Sequence, residues 1–567
     1  MPFPVFNQTI SVKMKDRYFD IFCFFLLACT LFIFLPAQIY YNNVAQYTYF
    51  FYEYLAYAAL VLMVSTIIYT LAVFVFKEKM QTVSVIIVAL AFLCILQANV
   101  LSWNYGVFDG SEIEWKEHFW EGILDSFLWI GVTVAAMVFR NKIYQHHLKG
   151  ITLFLFLFQL LNVSYISWNY HVSGNSKHDY LKINESDRRD DFSFSGQDNV
   201  MIIMLDSYRS DIFNEIIADE GFYRNIFRDF TYYRNNIGGY PTTFPSIPLM
   251  MTGKYYQNHM PIMKFIAQEY VSDSLPGIFL KKGYDVSLVP FDRMIYPATE
   301  ISNHFIRKQH SIRQMIGEVR ESNLNSVVFF ACMPTFARAF LVEKVQFYND
   351  DLEFIKKFKD GFSSDNPRKA FKYYHLRGGH PPMIYDENLN VKKMPNNSRA
   401  SYKAQAKADL KMCLQIFELL KRDKIYDHSL IVVMSDHGNP ECEMINPFNH
   451  NRIQEDTVIK TAIPILLVKQ RQSKQRDIRI SDEPTTNGDL KNIVMGRNLP
   501  FSNDRRYYYY DWKHECWRSD YLPPFTEYRV NGHAWRQESW TPTGNVLSKQ
   551  GVVKNNIINY DNQQDRK

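Results

Sequence analysis

Five apolar runs crowd the first 170 residues, and they constrain this chain more than any other feature. They lie at roughly 18–41, 50–76, 81–103, 120–139 and 150–168. A bilayer-spanning helix takes about 20 consecutive apolar residues, so each run is long enough. Lys13, Lys15 and Arg17 precede the first run, as they would a signal peptide. Its apolar core is too long for one and no small-x-small cleavage site follows, which predicts an uncleaved anchor. The flanking charges alternate. The loop 42–49 has no Lys or Arg, Lys77 and Lys79 separate runs two and three, the loop 104–119 has only Lys116, and Arg140, Lys142 and Lys149 separate runs four and five. Such alternation predicts a cytoplasmic N-terminus, with everything after the fifth run outside. Trp103, Trp115, Trp120 and Trp168 lie near the outer ends, where an aromatic belt belongs. Buried helices of a soluble protein would leave the charge alternation a coincidence.

Beyond residue 170 the chain reads as a polar globular protein, so the mean hydropathy of −0.23 averages two unlike parts. A net charge of +5 over 567 residues gives no case for a nucleic-acid partner. Residues 170–197 are polar and without period, which predicts a juxtamembrane linker. Strand and helix signals then alternate: strands over 199–205, 284–290, 369–376, 429–434 and 463–469, and a helix over 401–423. That order predicts a mostly parallel sheet with helices on both faces. Past about 500 the segments turn aromatic and turn-rich, and Asn531-Gly532 is a hairpin signal. Cys332, Cys413, Cys442 and Cys516 fall in the external part, where four cysteines allow three pairings. Cys413, on a helix stripe, reads as a buried thiol, and Cys23, Cys29 and Cys94 lie within the apolar runs.

Three stretches carry chemistry. Val200–Asp206 is an apolar run ending in a carboxylate, and Ile431–Gly438 is another ending in Asp436-His437-Gly438. Between them, Tyr240-Pro241-Thr242-Thr243-Phe244-Pro245-Ser246-Ile247 offers hydroxyls on a Pro-punctuated loop before a short apolar run ending in Thr252-Gly253. Parallel strands that deliver ligands at their C-terminal ends are how open α/β sheets build sites. A threonine hydroxyl brought to the same metal becomes a nucleophile. Asp436 and His437 are adjacent, and both reach one metal only if the strand has ended, a turn that Gly438 permits.

These stretches resemble the sulfatase-like branch of the alkaline phosphatase superfamily over roughly 198–495. Arylsulfatases carry C-x-P-S-R, whose Cys becomes formylglycine, followed by an apolar run and T-G. Here Thr243 stands for that Cys and Ile247 for the Arg. Threonine at this place is similar to the membrane-anchored phosphoethanolamine and phosphoglycerol transferases, which include lipid A modifiers and lipoteichoic acid synthases. The resemblance implies a five-helix transmembrane domain (1–169), the linker (170–197), an α/β sulfatase-like catalytic domain (198–500) and a small C-terminal antiparallel subsheet (501–567).

By the same resemblance Asp206, Thr243, Asp436 and His437 hold a divalent metal, zinc first and Mn²⁺ as the alternative. An N-cap role is the plainer reading of Asp206. Thr243 is the nucleophile, selected over Thr242 by its three-residue offset to Ser246. The segment His375-Leu376-Arg377-Gly378-Gly379-His380-Pro381 is similar to the family's H-x-x-x-S-H-x-P. It makes His380 a phosphate contact or leaving-group acid, and His375 a strand-end structural residue. Arg377 either pairs with a phosphate oxygen or stays solvated. His450, 13 residues after His437, matches a proton donor or second ligand in relatives. The implied function moves phosphoethanolamine or phosphoglycerol from phosphatidylethanolamine or phosphatidylglycerol to a hydroxyl of a cell-surface glycan or glycolipid such as lipopolysaccharide, outside the bacterial inner membrane. A phosphodiesterase shares the first half of that reaction. A sulfatase would need Cys or Ser at 243, and a non-catalytic lipid sensor on this scaffold should have lost the ligands that remain here.

Overall fold

The computed structural model describes residues 5–43, 51–76, 79–105, 113, 115–172, 191–289, 324–342, 350–392, 394–395, 398–445, 452–453, 457–512 and 521–554. Five helices are long and apolar enough to cross a membrane: α1 (Arg17–Asn42), α2 (Phe51–Val75), α3 (Met80–Asn99), α4 (Phe119–Val138) and α5 (Arg140–Val172). The last begins earlier than the apolar run predicts. Arg140–Gly150 contains no proline and no glycine before its final residue, so the helix continues through the basic segment with one π-turn at Ile143–His147. Large apolar side chains point outward, among them Leu71, Phe127 and Leu161, while Asp125, Gln97, Thr152 and Gln159 are buried. This inside-out distribution suits helices solvated by lipid rather than water.

The chain divides into two compact units. The first contains α1–α5 and also the later segment 324–342, which lies far from the five apolar runs along the chain. Asp125 of α4 ties that segment down. Its Oδ2 accepts from the Thr335 amide at 3.0 Å, the Thr335 hydroxyl at 2.6 Å and Gln97 Nε2 at 3.1 Å. Its Oδ1 accepts from the Trp103 indole at 3.0 Å, so Trp103 turns its polar edge inward. Asp125→Ala leaves these buried donors unmatched and is expected to cost about 3 kcal/mol, read as a lower midpoint of unfolding in detergent.

The second unit is organised by a sheet that has seven strands among the described residues. They are β1 (Asn199–Leu205), β2 (Thr231–Tyr233), β3 (Asp285–Val289), β4 (Ala370–Leu376), β5 (Ser429–Met434), β6 (Leu466–Lys469) and β7 (Arg479–Ser481), in the order β7-β2-β6-β5-β1-β4-β3. The pairs β5–β1, β1–β4, β4–β3 and β7–β2 are parallel, and β6 runs antiparallel to β5 and β2. The short strands β2 and β7 escape sequence reading because they are too brief and polar to show a pattern.

Residues of β1 alternate between two cores. Met201, Ile203 and Leu205 meet Ile212, Phe213 and the helix Arg399–Arg422, while Val200, Ile202 and Met204 meet Ile247, Leu249 and Met250 of the helix Thr243–Thr252. Both faces are covered, which is why these strands read as unbroken apolar runs. The C-terminal sheet is antiparallel: β8 (Arg505–Tyr509), β9 (Phe525–Val530), β10 (Trp540–Ser548) and β11 (Gly551–Lys554). Asn531-Gly532 does not form a two-residue turn. The β9–β10 connection runs over 531–539, because Val530 pairs with Trp540.

Candidate active site

Register places the site. Leu205 pairs with Leu376, and Met204 with Met434, so β1, β4 and β5 end side by side. Asp206, the loop from Arg377 and the segment Ser435–Gly438 therefore leave the sheet at one edge. The backbone is unusual there: Ser207 takes φ +56, a left-handed conformation that few non-glycine residues adopt. The twist lets the Ser207 amide donate to Asp436 Oδ1 at 3.3 Å while its hydroxyl donates to Asp206 Oδ1 at 2.9 Å. Asp436 and His437 lie beyond the end of β5, as two adjacent ligands require. Gly438 serves by space rather than by a left-handed turn. A Cβ there would sit 2.0 Å from the Lys460 carbonyl. Gly378 does take φ +56, and a Cβ on it would fall 2.8 Å from the Asp206 amide nitrogen.

Thr243 is the first residue of the helix Thr243–Thr252, with Thr242 as its N-cap. The helix dipole presents partial positive charge there, which favours an oxyanion. Thr243 Oγ1 lies 3.3 Å from Asp206 Oδ2 and 3.3 Å from His437 Nε2. Thr242 points elsewhere, to the Tyr510 hydroxyl at 2.5 Å. Ile247 is fully buried in the core beneath the helix and brings no charge to the site.

His437 Nδ1 lies 3.0 Å from the Gly438 carbonyl, a contact that only an N–H makes, so its Nε2 presents a lone pair toward Thr243. Asp206, Asp436 and His437 place one ligand atom each within 4.8 Å of one another. Asp436 Oδ2 is buried, 3.5 Å from His437 Nε2, and has no hydrogen-bond partner among the described residues. A buried carboxylate oxygen without a donor is costly unless a cation meets it. The donor set fits a divalent metal: two carboxylates, one imidazole and a hydroxyl.

Burial opposes ionisation of Asp206, yet its carboxyl is held well below the usual range. The surrounding imidazoles of His380, His375 and His437, with the hydrogen bond from His375, outweigh burial. His375 Nε2 lies 3.2 Å from Asp206 Oδ2. Sequence reasoning gave His375 only a structural role; the pairing of its strand with the one that ends at Asp206 is the signal that it orients this carboxylate. His375→Ala is expected to weaken metal binding by about 10–100-fold, the usual cost of losing a ligand's outer partner, measured by metal titration. His380 is half-buried with its Nδ1 2.8 Å from the Pro381 carbonyl, which leaves Nε2 as the ring nitrogen for proton transfer. Arg377 turns its guanidinium to the carbonyls of His380 and Pro381. His450 and Cys516 lie outside the described residues. Cys332, Cys413 and Cys442 are free buried thiols. Arg209 and Asp211 form a fully buried bidentate pair, at 2.8 and 2.7 Å, and Arg209 also donates to the Cys442 carbonyl at 2.8 Å, bracing the segment after the site.

Residues 198–496, over half the chain, match the Sulfatase family. The chain belongs to the sulfatase family. Its five apolar helices precede the family domain, as in the membrane-anchored type. No curated protein matches this sequence. Among solved structures, this sulfatase-family chain is similar to the phosphonate monoester hydrolase SpPMH from Silicibacter pomeroyi, at 17% identity and TM-score 0.35 over 54% of this chain and 74% of that one. It is similar to the C-terminal periplasmic domain of EcEptC from Escherichia coli in complex with Zn, at 14% identity and TM-score 0.34 over 58% and 92%. It is also similar to the phosphonate monoester hydrolase of Agrobacterium radiobacter, at 12% identity and TM-score 0.35 over 62% and 89%.

Proposed function

We propose that this sulfatase-family enzyme is a zinc-dependent transferase that moves phosphoethanolamine or phosphoglycerol from a phospholipid to a hydroxyl of a cell-surface glycan or glycolipid. The observation that carries the reading is the Thr243 hydroxyl, set at a helix N-terminus and 3.3 Å from both Asp206 and His437. A sulfatase hydrates an aldehyde made from Cys or Ser. Threonine does not yield that aldehyde, but it is a competent phosphoryl acceptor.

Asp206, Asp436, His437 and Thr243 would hold the metal, Mn²⁺ being the alternative to zinc. A divalent ion held there would supply Lewis acidity that lowers the pKa of the hydroxyl. Thr243 Oγ attacks the phosphodiester phosphorus, its proton passing to a neighbouring base. The phosphorus–oxygen bond to diacylglycerol breaks, and the diacylglycerol oxygen takes a proton, for which His380 is the assigned acid. An acceptor hydroxyl then attacks phosphorus and releases Thr243. His450 is a second proton donor in this scheme, and Arg377 binds a phosphate oxygen once it leaves the loop carbonyls.

Five helices long enough to span a bilayer suit a donor that stays in one. Their flanking charges support an inner-membrane location with catalysis on the periplasmic side. The test is the intact mass of the purified full chain after incubation in detergent with phosphatidylethanolamine or phosphatidylglycerol. A gain of one phosphoethanolamine or one phosphoglycerol supports the reading and names the headgroup. Diacylglycerol release with neither adduct nor transfer to added glycolipid would make the protein a phosphodiesterase instead.

A further inference from the structure

The segment 324–342 inverts the pattern of a water-soluble hairpin. Its two helices, Leu324–Cys332 and Thr335–Val342, contain one charged residue before Val342, Arg338. That charge is buried and faces inward. It donates to the Met333 and Ala331 carbonyls at 2.6 and 2.9 Å and to the Tyr105 hydroxyl at 3.0 Å. Besides Ser326, the exposed side chains described on it are large and apolar: Val327, Phe329 and Phe336 are 41%, 39% and 45% exposed.

The hairpin is fixed to the apolar helices at three places. Thr335 is held by Asp125 of α4 through both its amide and its hydroxyl. Asn325 Oδ1 accepts from the Tyr54 hydroxyl of α2 at 2.8 Å. The Phe336 ring lies over Gly122 of α4, where a Cβ would fall 2.6 Å from it. Leu324, Val328 and Cys332 are buried in one cluster with Leu35, Tyr54 and Cys94 of α1, α2 and α3. The exposed apolar face is continuous with the bundle. Phe336 packs 6.2 Å from Phe119, which is 51% exposed beside Trp120 at 75%.

We propose that residues 324–342 form a membrane-embedded hairpin whose outer face, Val327, Phe329 and Phe336, is covered by bilayer phospholipid. This rests on reading α1–α5 as membrane spans. Water disfavours such an apolar face on an element whose single charge, Arg338, is already satisfied within the protein, whereas lipid does not. The segment lies inside the stretch that matches the sulfatase family. The catalytic chain therefore enters the bilayer a second time, between β3 and β4.

The test uses the full chain in nanodiscs of phosphatidylethanolamine and phosphatidylglycerol. The photo-crosslinker p-benzoylphenylalanine replaces Phe336 or, in a second variant, Phe329. Phe127, 74% exposed on α4, is the spanning control, and Phe222, 53% exposed on the second unit, is the aqueous control. The expected result is a peptide heavier by one phospholipid at 336 and 329, as at 127, and none at 222. Labelling at 127 without labelling at 336 or 329 overturns the hairpin and leaves the spans standing. Crosslinks from 336 and 329 to protein in place of lipid also overturn it. No lipid on 127 removes the membrane reading, and the hairpin with it.

Discussion

Thr243→Ala is expected to lower headgroup transfer by at least about 10³-fold, and to abolish the phosphorylated form of the protein altogether. Neither nearby hydroxyl of the same loop and helix is free to substitute for the missing one. Thr242 is turned to Tyr510, and Ser246 donates to the Thr242 carbonyl at 2.7 Å from within the helix. The fold should survive, because Thr243 is only half-buried and its side chain packs in neither core. Metal binding should also persist, since Asp206, Asp436 and His437 remain. Rate measurements with a labelled phospholipid, beside intact mass and metal content, separate these outcomes. A variant that still accumulates the adduct would remove Thr243 from its role.

Asp436→Ala has the second large effect, on the metal. Its loss should weaken binding by more than the roughly 100-fold that an outer partner costs. The signature lies in stability. Metal bound only to the folded state adds RT ln(1 + [L]/Kd), about 4 kcal/mol at a thousandfold excess over Kd, so wild type should show a large metal-dependent rise in its unfolding midpoint. Asp436→Ala should lose that rise. Without metal two losses oppose each other in the variant: a buried carboxylate oxygen with no hydrogen-bond partner among the described residues goes, and the Ser207 amide loses its acceptor, so the variant's stability should differ from wild type by less than the metal-dependent shift. Thermal unfolding with and without added zinc reads both. An unchanged metal-dependent shift would place the ion elsewhere.

Much of this site is legible in the chain because its parts are consecutive. Asp206 follows a strand buried on both faces, Asp436-His437-Gly438 follows another, and the Thr-x-Pro-Ser frame opens a helix. Each is local, so period and punctuation reveal it. His375 was harder. A histidine at the end of a strand looks the same whether it fills a core or orients a ligand, and only the β1–β4 register brings it to Asp206. Gly438 looked like a turn residue, and only the nearby Lys460 carbonyl explains why no side chain fits.

The sequence by itself determined the five apolar helices, the mostly parallel sheet and the candidate residues at its strand ends, since composition, period and strand-end chemistry are written in neighbouring residues. Tertiary structure decided what depends on contact between distant ones. It brought the Thr243 hydroxyl, and not that of Thr242, to Asp206 and His437, and it gave His375 its carboxylate. It also set Thr335 on Asp125, 210 residues away, drawing 324–342 onto the apolar helices. A buried carboxylate must find donors wherever the fold supplies them, and separation along the chain carries no record of that match.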